Sequence, residues 1–474
     1  MDSLPPGSDP IDGQKPSEDC AVVGFKGRIN AYEPIITALR TLQHRGQESA
    51  GMAVFDGRKT VLKKGRGLVT DVFNPATDSI KGKVGVGHTR YSTAGSKDVI
   101  DAGPFVINSQ VGFISLSHNG EIVNADELKE EMKKEGVNFQ SDSDTEVLLA
   151  ELSRNISKYG LKKGFEVSMN TLRGAYACAV GINDRLFAMR DPNGIRPLIV
   201  GKNADGYIIA SESCAIDALD GTIIRNVEPG EVVELTDDGL KTIALHEGEK
   251  TAHCMFEYVY FSRPDSTIDG INVYMARVKM GMMLAKESPV EADMVIPVPD
   301  SGRSQAIGFS MQSGIPYTEG LMKNRYSERT FIMPTQSDRK AAIRLKLNPV
   351  REVISGKRIV LVDDSIVRGN TMRFIVSMMR KYGAKEVHVR IGSPHIIAPC
   401  YFGVDMKTKD QFIARGKTDA EINSEIGADS LAFLSIDGLK EAIGLDENNL
   451  CLGCLTGTYP IDISKKLAEK ITQY

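Results

Sequence analysis

The sequence predicts two domains: an α+β layered domain to about residue 250, then an open doubly wound α/β domain to residue 474. Two observations predict it. In the first half, strand-like apolar runs follow one another while helices group apart, the pattern of sheets covered by helices. In the second half, continuous apolar runs that end in polar residues alternate with helical stretches, the pattern of buried parallel strands. The length agrees, since about 150 residues per domain allows two or three domains.

The first 19 residues, MDSLPPGSDPIDGQKPSED, are rich in proline and acid and hold no apolar signal-peptide core. CAVVGF, from Cys20, then opens an apolar, β-branched strand. Ile35, Leu39 and Leu42 recur at helical spacing over residues 31–45. GMAVF, KVGVGHT, VGFISLSH, YACAVGI, LFAMR, YIIAS and EVVEL read as further strands, with DELKEEMKKEGV and SDTEVLLAELSRNISKYG as helices between them. The polar stretch ALHEGEKTAH (244–253) reads as the linker. After it, MVIPVPD, RIVLVDD and EVHVRIGS read as parallel strands, separated by helices such as VYMARVKMGMMLAKE and TMRFIVSMMRKYG. Ligands of such a sheet sit at the C-terminal strand edges.

Composition excludes several classes. Hydrophobic residues are 41% and charged residues 25%, as in ordinary globular proteins. A balance of 58 basic against 62 acidic side chains gives no broad electrostatic case for nucleic acid. No apolar stretch approaches the roughly 18 residues of a membrane span. Seven scattered cysteines argue against a secreted disulfide framework. The expected compartment is the cytosol, where cysteines are more often catalytic or metal-bound.

The sharpest motif is RIVLVDDSIVRGNTM (358–372). A strand delivers Asp363 and Asp364 to its end, and the following loop enters a helix near Thr371. Backbone N–H groups at Arg368, Gly369 and Asn370, with the Ser365 and Thr371 hydroxyls, suit an anion nest at that helix start. A glycine there lets a phosphate approach closely. Two carboxylates beside a phosphate need other partners, and sugar hydroxyls and Mg²⁺ are the natural ones. The Gly-Lys-Ser/Thr element of a Walker A loop is missing.

VLVDDSIVRGNT resembles the phosphoribosyl pyrophosphate (PRPP) signature of type I phosphoribosyltransferases. The resemblance implies that Asp363 and Asp364 contact ribose hydroxyls and Mg²⁺ while Ser365–Thr371 hold the 5′-phosphate. VIPVPDSGRS (295–304) resembles the family's pyrophosphate loop, which places Asp300, Ser301, Gly302 and Arg303 towards pyrophosphate and gives Ser301 a metal contact. Gly302-Arg303 departs from the small or acidic residues of that loop. Residues 323–350 are long, basic and irregular, a candidate lid over a polyanion through Lys323, Arg325, Tyr326 and Arg329.

Cys20 reads either as a buried strand cysteine or as a nucleophile. Exposed as a new N-terminus by removal of residues 1–19, it would carry its own base, because an α-amine titrates near pH 8. LQHRGQESAG (42–51), GHTRYSTAG (87–95), SHNGEI (117–122) and SDTEV (143–147) closely resemble the N-terminal-nucleophile glutaminase domain of glutamine amidotransferases, a layered αββα fold. By that resemblance Arg90 grips the glutamine α-carboxylate and Asp144 its α-ammonium. Asn119 and the Gly120 N–H form the oxyanion hole, and Arg45 orders the loop beside Cys20. His44, His88 and His118 lack ligand-like spacing and read as structural.

Cys451-Leu-Gly-Cys454, with Cys254 and Cys400, could ligate zinc or a 4Fe–4S cluster, and spacing alone does not choose. Residues 20–470 together resemble the amidophosphoribosyltransferase family, one subgroup of which carries a 4Fe–4S cluster on four cysteines in these contexts. The resemblance implies a prosegment (1–19), a glutaminase domain (20–250) and a phosphoribosyltransferase domain (251–474). It also implies one Mg²⁺ and one cluster per subunit, a homo-oligomer (dimer or tetramer), and purine nucleotides as inhibitors. The expected reaction makes 5-phosphoribosylamine, glutamate and pyrophosphate from glutamine, PRPP and water, the first step of purine synthesis. Cys178 and Cys214 match no ligand position and are expected in the core.

Overall fold

The computed structural model describes residues 20–90, 99–246, 248, 250–324, 346–406 and 412–463. The leader 1–19 and the lid residues Arg325, Tyr326 and Arg329 lie outside them.

The first domain stacks two antiparallel sheets. One has seven strands, in the order Thr222–Asn226, Ile199–Lys202, Gly206–Ala210, Ala21–Gly27, Val84–Arg90, Ser49–Phe55 and Thr60–Arg66. The other has six, in the order Gly239–Leu245, Glu231–Thr236, Arg185–Arg190, Gly174–Ile182, Gly112–Ile122 and Phe105–Ser109. Alternation sorts the side chains. Val22, Ala53 and Val86 face Ala177, Ala179 and Ala188 between the sheets, where small residues allow close approach. Ala21, Val23 and Phe25 point outward against Ile35 and Leu39 of the helix Tyr32–Thr41. On the far face, Leu148, Leu152 and Phe165 of the helices Asp144–Tyr159 and Leu161–Thr171 cover Tyr176, Cys178 and Val180. The result is four layers, αββα. Cys178 and Cys214 are both in these cores.

Sequence periodicity missed the strands Thr60–Arg66, Thr222–Asn226 and Gly239–Leu245, whose residues are mostly half-buried or exposed and so show no clean alternation. The linker reading is corrected in part: residues 244 and 245 belong to a strand, with Ala244 opposite Val232 and Leu245 opposite Glu231.

The second domain is a parallel sheet in the order Met294–Pro297, Arg358–Asp363, Glu386–Ile391, Ser430–Phe433. Tyr317 adds a parallel bridge to Val295 on the opposite side. Strand order therefore reverses between Met294–Pro297 and Arg358–Asp363, the switch point at which open α/β sheets bind ligands. Successive residues serve opposite faces: Val360 and Val362 pack with the helices Val273–Glu287 and Arg303–Ser313, whereas Ile359 and Leu361 pack under Asn370–Lys381. The first two helices touch backbone to backbone. A Cβ at Gly281 would lie 1.9 Å from the Gln305 carbonyl oxygen, and one at Gly308 would lie 1.8 Å from that of Val278. Ala175 and Ile195 of the first domain enter the same core, which welds the two domains together. Among the described residues no helix is long and apolar enough to cross a membrane.

Candidate active sites

One pocket gathers Cys20, Arg90, Asn119, Gly120 and Asp144 from four separate segments. Cys20 immediately precedes the strand Ala21–Gly27, and Arg90 ends the neighbouring strand, in which Thr89 pairs with Ala21. Asn119 and Gly120 come from the other sheet. Gly120 has φ +137°, and a Cβ there would lie 2.0 Å from the Ala175 carbonyl oxygen, so only glycine fits. Asn119 Oδ1 accepts from the Cys20 backbone N–H at 3.4 Å. Its Nδ2 is buried and has no partner among the described residues, an amide donor held ready beside the cysteine. Asp144 opens its helix, and the Ile122 N–H donates to its Oδ2 at 2.9 Å. Arg90 donates to the Asp101 carbonyl.

The histidines are structural here. His88 Nε2 lies 2.9 Å from the His118 carbonyl oxygen, which can only accept, so that nitrogen carries the proton. Burial pushes the His88 pKa down to about 3 and also lowers that of His118, leaving both neutral at pH 7. His44 meets Glu212 at 2.7 Å. Arg45 is buried, donates from Nε to the Cys20 carbonyl at 3.2 Å, and pairs with Glu212 at 2.6 Å and Glu257 at 2.8 Å. Burial opposes ionisation of Glu212, but His44 and Arg45 together hold its carboxyl well below the usual range. Sequence reasoning missed Glu212, Glu257 and Gly403, which lines the same pocket from the second domain. Its only sequence mark was its place near Cys400.

At the switch point, Asp363 ends its strand opposite Ile391, and both Asp363 and Asp364 are buried. The Asp364 N–H donates to Asp363 Oδ1 at 2.9 Å, and Ser365 Oγ donates to Asp364 Oδ2 at 2.7 Å. The loop containing Arg368 reaches the helix Asn370–Lys381, which includes Thr371, through Gly369 at φ +75°. The structure gives that glycine a reason other than phosphate access. Its backbone is left-handed, and a Cβ would lie 2.2 Å from Ile413 Cδ1.

The second loop packs beside the first. A Cβ at Gly302 would lie 2.5 Å from the Val362 carbonyl oxygen and 3.2 Å from Asp363 Cα, so Gly302 abuts the Asp363 strand end. Ser301 is half-buried, and the Pro299–Asp300 peptide is cis. Arg303 pairs with Asp300 at 2.7 Å and with Glu319 at 3.1 Å, and Lys323 lies 3.6 Å from Asp300. The stretch 323–350 is not irregular throughout: Leu321–Lys323 pairs with Leu347–Pro349, a ladder at the base of the loop.

Cys254 and Cys451 stand opposite each other on a short parallel ladder. The Cys454 backbone carbonyl accepts from the Ile397 and Ala398 N–H groups, and Cys400 Sγ accepts from the Phe402 N–H at 3.3 Å. All four are free thiols. Burial raises their pKa values, that of Cys451 to about 12, and the charges of the neighbouring thiols add to the rise at Cys254, Cys451 and Cys454. Among the described residues no group of three or more His, Cys, Asp or Glu is placed to hold a metal ion.

The first domain thus presents a strand-entry cysteine with amide donors at its side and the second an acidic strand end at an α/β switch point, the arrangement expected from the resemblance to a glutaminase domain joined to a phosphoribosyltransferase. Comparison with known proteins agrees. A glutamine amidotransferase domain model matches residues 88–218, and a phosphoribosyl transferase domain model matches 283–392. The amidophosphoribosyltransferase of Methanocaldococcus jannaschii is 49% identical, over 94% of this chain and 98% of its own length. That of Archaeoglobus fulgidus is 50% identical, over 95% and 100%. The solved glutamine PRPP amidotransferase from B. subtilis, complexed with ADP and GMP, superposes with a TM-score of 0.88 at 46% identity, covering 95% of this chain and 100% of that one. This chain belongs to the amidophosphoribosyltransferase family. It is a transferase that takes nitrogen from glutamine and a phosphoribosyl group from PRPP, at the first step of purine biosynthesis.

Proposed function

We propose the following division of labour. Release of residues 1–19 turns the Cys20 nitrogen, which touches Asn119 Oδ1, into an α-amine. That amine takes the thiol proton, and Cys20 Sγ attacks the glutamine carboxamide carbon. Asn119 Nδ2 and the Gly120 N–H receive the oxyanion, while Arg90 and Asp144 hold the α-carboxylate and α-ammonium. The amine returns its proton to the leaving nitrogen, ammonia departs, and water cleaves the thioester to glutamate. In the second domain Asp363 and Asp364 orient the ribose, and Ser365, Arg368, Gly369, Asn370 and Thr371 hold the 5′-phosphate. Lys323 is assigned to the polyphosphate, as are Arg325 and Tyr326, which lie outside the described residues. Ammonia then displaces pyrophosphate from C1, a step that needs positioning more than a protein nucleophile.

The observation that carries the glutaminase half is Asn119 Nδ2 beside Cys20, without a partner among the described residues. Asn119→Ala should lower kcat for glutamine hydrolysis by ~10²–10³, with little change in KM. Wild-type kcat in steady-state assays of the variant would reject the oxyanion role. Purine nucleotides are proposed as inhibitors, and wild-type turnover unaffected by added ADP or GMP would reject that.

Two inorganic groups belong to the proposal. Asp363 and Asp364, with Ser301 of the adjoining loop, would hold Mg²⁺ through their oxygens, and the ion would neutralise charge on the departing pyrophosphate. Cys254, Cys400, Cys451 and Cys454 suit a 4Fe–4S cluster. These four residues would hold it through one thiolate on each iron. Such a cluster would tie the C-terminal segment to the domain junction. Anaerobically purified protein should contain about four irons and four acid-labile sulfides per chain; neither element, or zinc in their place, would reject the cluster. A soluble homo-oligomer of the cytosol is the proposed state.

A further inference from the structure

Glu257 opens the turn Glu257–Phe261 at the start of the second domain, and its side chain is 2% exposed. Its Oε1 accepts from Arg45 Nη2 at 2.8 Å and from Arg196 Nη1 at 3.2 Å. Its Oε2 accepts from Arg45 Nη1 at 3.1 Å and from Ser262 Oγ at 2.6 Å. Each arginine then reaches one half of the glutamine pocket. Arg45 Nε donates to the Cys20 carbonyl at 3.2 Å. Arg196 donates from Nε and Nη2 to the Phe402 carbonyl, at 3.1 and 2.9 Å. The next residue, Gly403, lies flat on the oxyanion glycine: a Cβ there would be 2.9 Å from Gly120 C and 3.1 Å from its Cα.

We propose that Glu257 is a positioning residue for glutamine hydrolysis: from the phosphoribosyltransferase domain it fixes Arg45 against Cys20 and Arg196 against the Phe402–Gly403 turn that backs Gly120. The inference rests on the reading of Cys20 as nucleophile and Gly120 as oxyanion donor. Its physical basis is charge and geometry together. Arg45 and Arg196 are both fully buried, and buried guanidinium groups need countercharge. Glu212 pairs with Arg45 at 2.6 Å and with His44 at 2.7 Å, whereas Glu257 is a carboxylate that pairs with both arginines. A glutamine at 257 would turn its N–H₂ towards an Arg45 N–H in either orientation, and towards Arg196 as well in one of them, so Arg45, alone or with Arg196, must shift. Either shift moves a reacting element, Cys20 or Gly120, and displacements near 1 Å are enough to cost about 10²-fold in rate.

The test is E257Q, assayed in the full-length enzyme for glutamine-dependent and ammonia-dependent synthesis. Glutamine-dependent kcat should fall ~10–100-fold, with KM for glutamine and ammonia-dependent synthesis both within about threefold of wild type. A residue that only stabilises the fold would lower both activities together, and that result, or an unchanged glutamine-dependent kcat, overturns the proposal. If E257Q does not fold, Arg196→Lys keeps the charge but cannot span Glu257 and the Phe402 carbonyl. It should show the same split, and unimpaired glutamine use would overturn the proposal. Failure of the underlying reading is separate: it appears as glutamine use surviving in C20A, whatever E257Q does.

Discussion

Cys20→Ala is expected to lower glutamine-dependent synthesis by on the order of 10³-fold or more, because no other group in the pocket can form the thioester. Ammonia-dependent synthesis should stay within about a factor of two, since distant sites act independently. The structure supports so selective a loss. Alanine keeps the backbone N–H on Asn119, the carbonyl on Arg45 and the Ala21–Thr89 pairing, so the pocket keeps its shape while losing its sulfur. Measured with both nitrogen donors on one preparation, equal loss of the two activities would contradict two separable sites.

Asp364→Asn should do the reverse. Synthesis from PRPP should fall ~10²–10³-fold with either nitrogen donor, because the lost charge is the one proposed to orient the ribose at the reacting carbon. Basal glutaminase should persist. A complication is physical and checkable. Burial lowers the pKa of Arg277 to about 10, and Asp364 is the foremost charge opposing that drop. Arg277 also donates to the Tyr258 and Ser262 carbonyls, so a disturbed guanidinium could loosen the domain junction. Asp363→Asn, assayed beside it, separates the two effects: both variants should lose PRPP chemistry, whereas only D364N should show a lowered melting temperature. Unchanged synthesis in both would remove the acidic pair from the site.

Local periodicity explains what was legible in the sequence. The helix Val273–Glu287 lies where the stretch VYMARVKMGMMLAKE placed it, and RIVLVDD and EVHVRIGS, apolar on both faces, are central strands. Strands with one face wet or at an edge, such as Thr222–Asn226, carry no such pattern, and the four-residue strand Ser430–Phe433 is too short to show one. The glutamine pocket was legible through motifs, since Cys20, Arg90, Asn119 and Asp144 lie far apart in sequence and only the sheet stacking brings them together. Glu257, Arg196 and Gly403 escaped notice for the same reason. Their roles exist only across the domain junction, and neither residue type nor spacing marks a contact made by tertiary packing.

The account claims that one chain couples two chemistries. The most direct test supplies glutamine, PRPP and Mg²⁺ to anaerobically purified protein and measures glutamate and pyrophosphate in the same samples. Equal release of the two, each needing both substrates for full rate, is the predicted result. Glutamate released without pyrophosphate, or pyrophosphate without any dependence on a nitrogen donor, would contradict it.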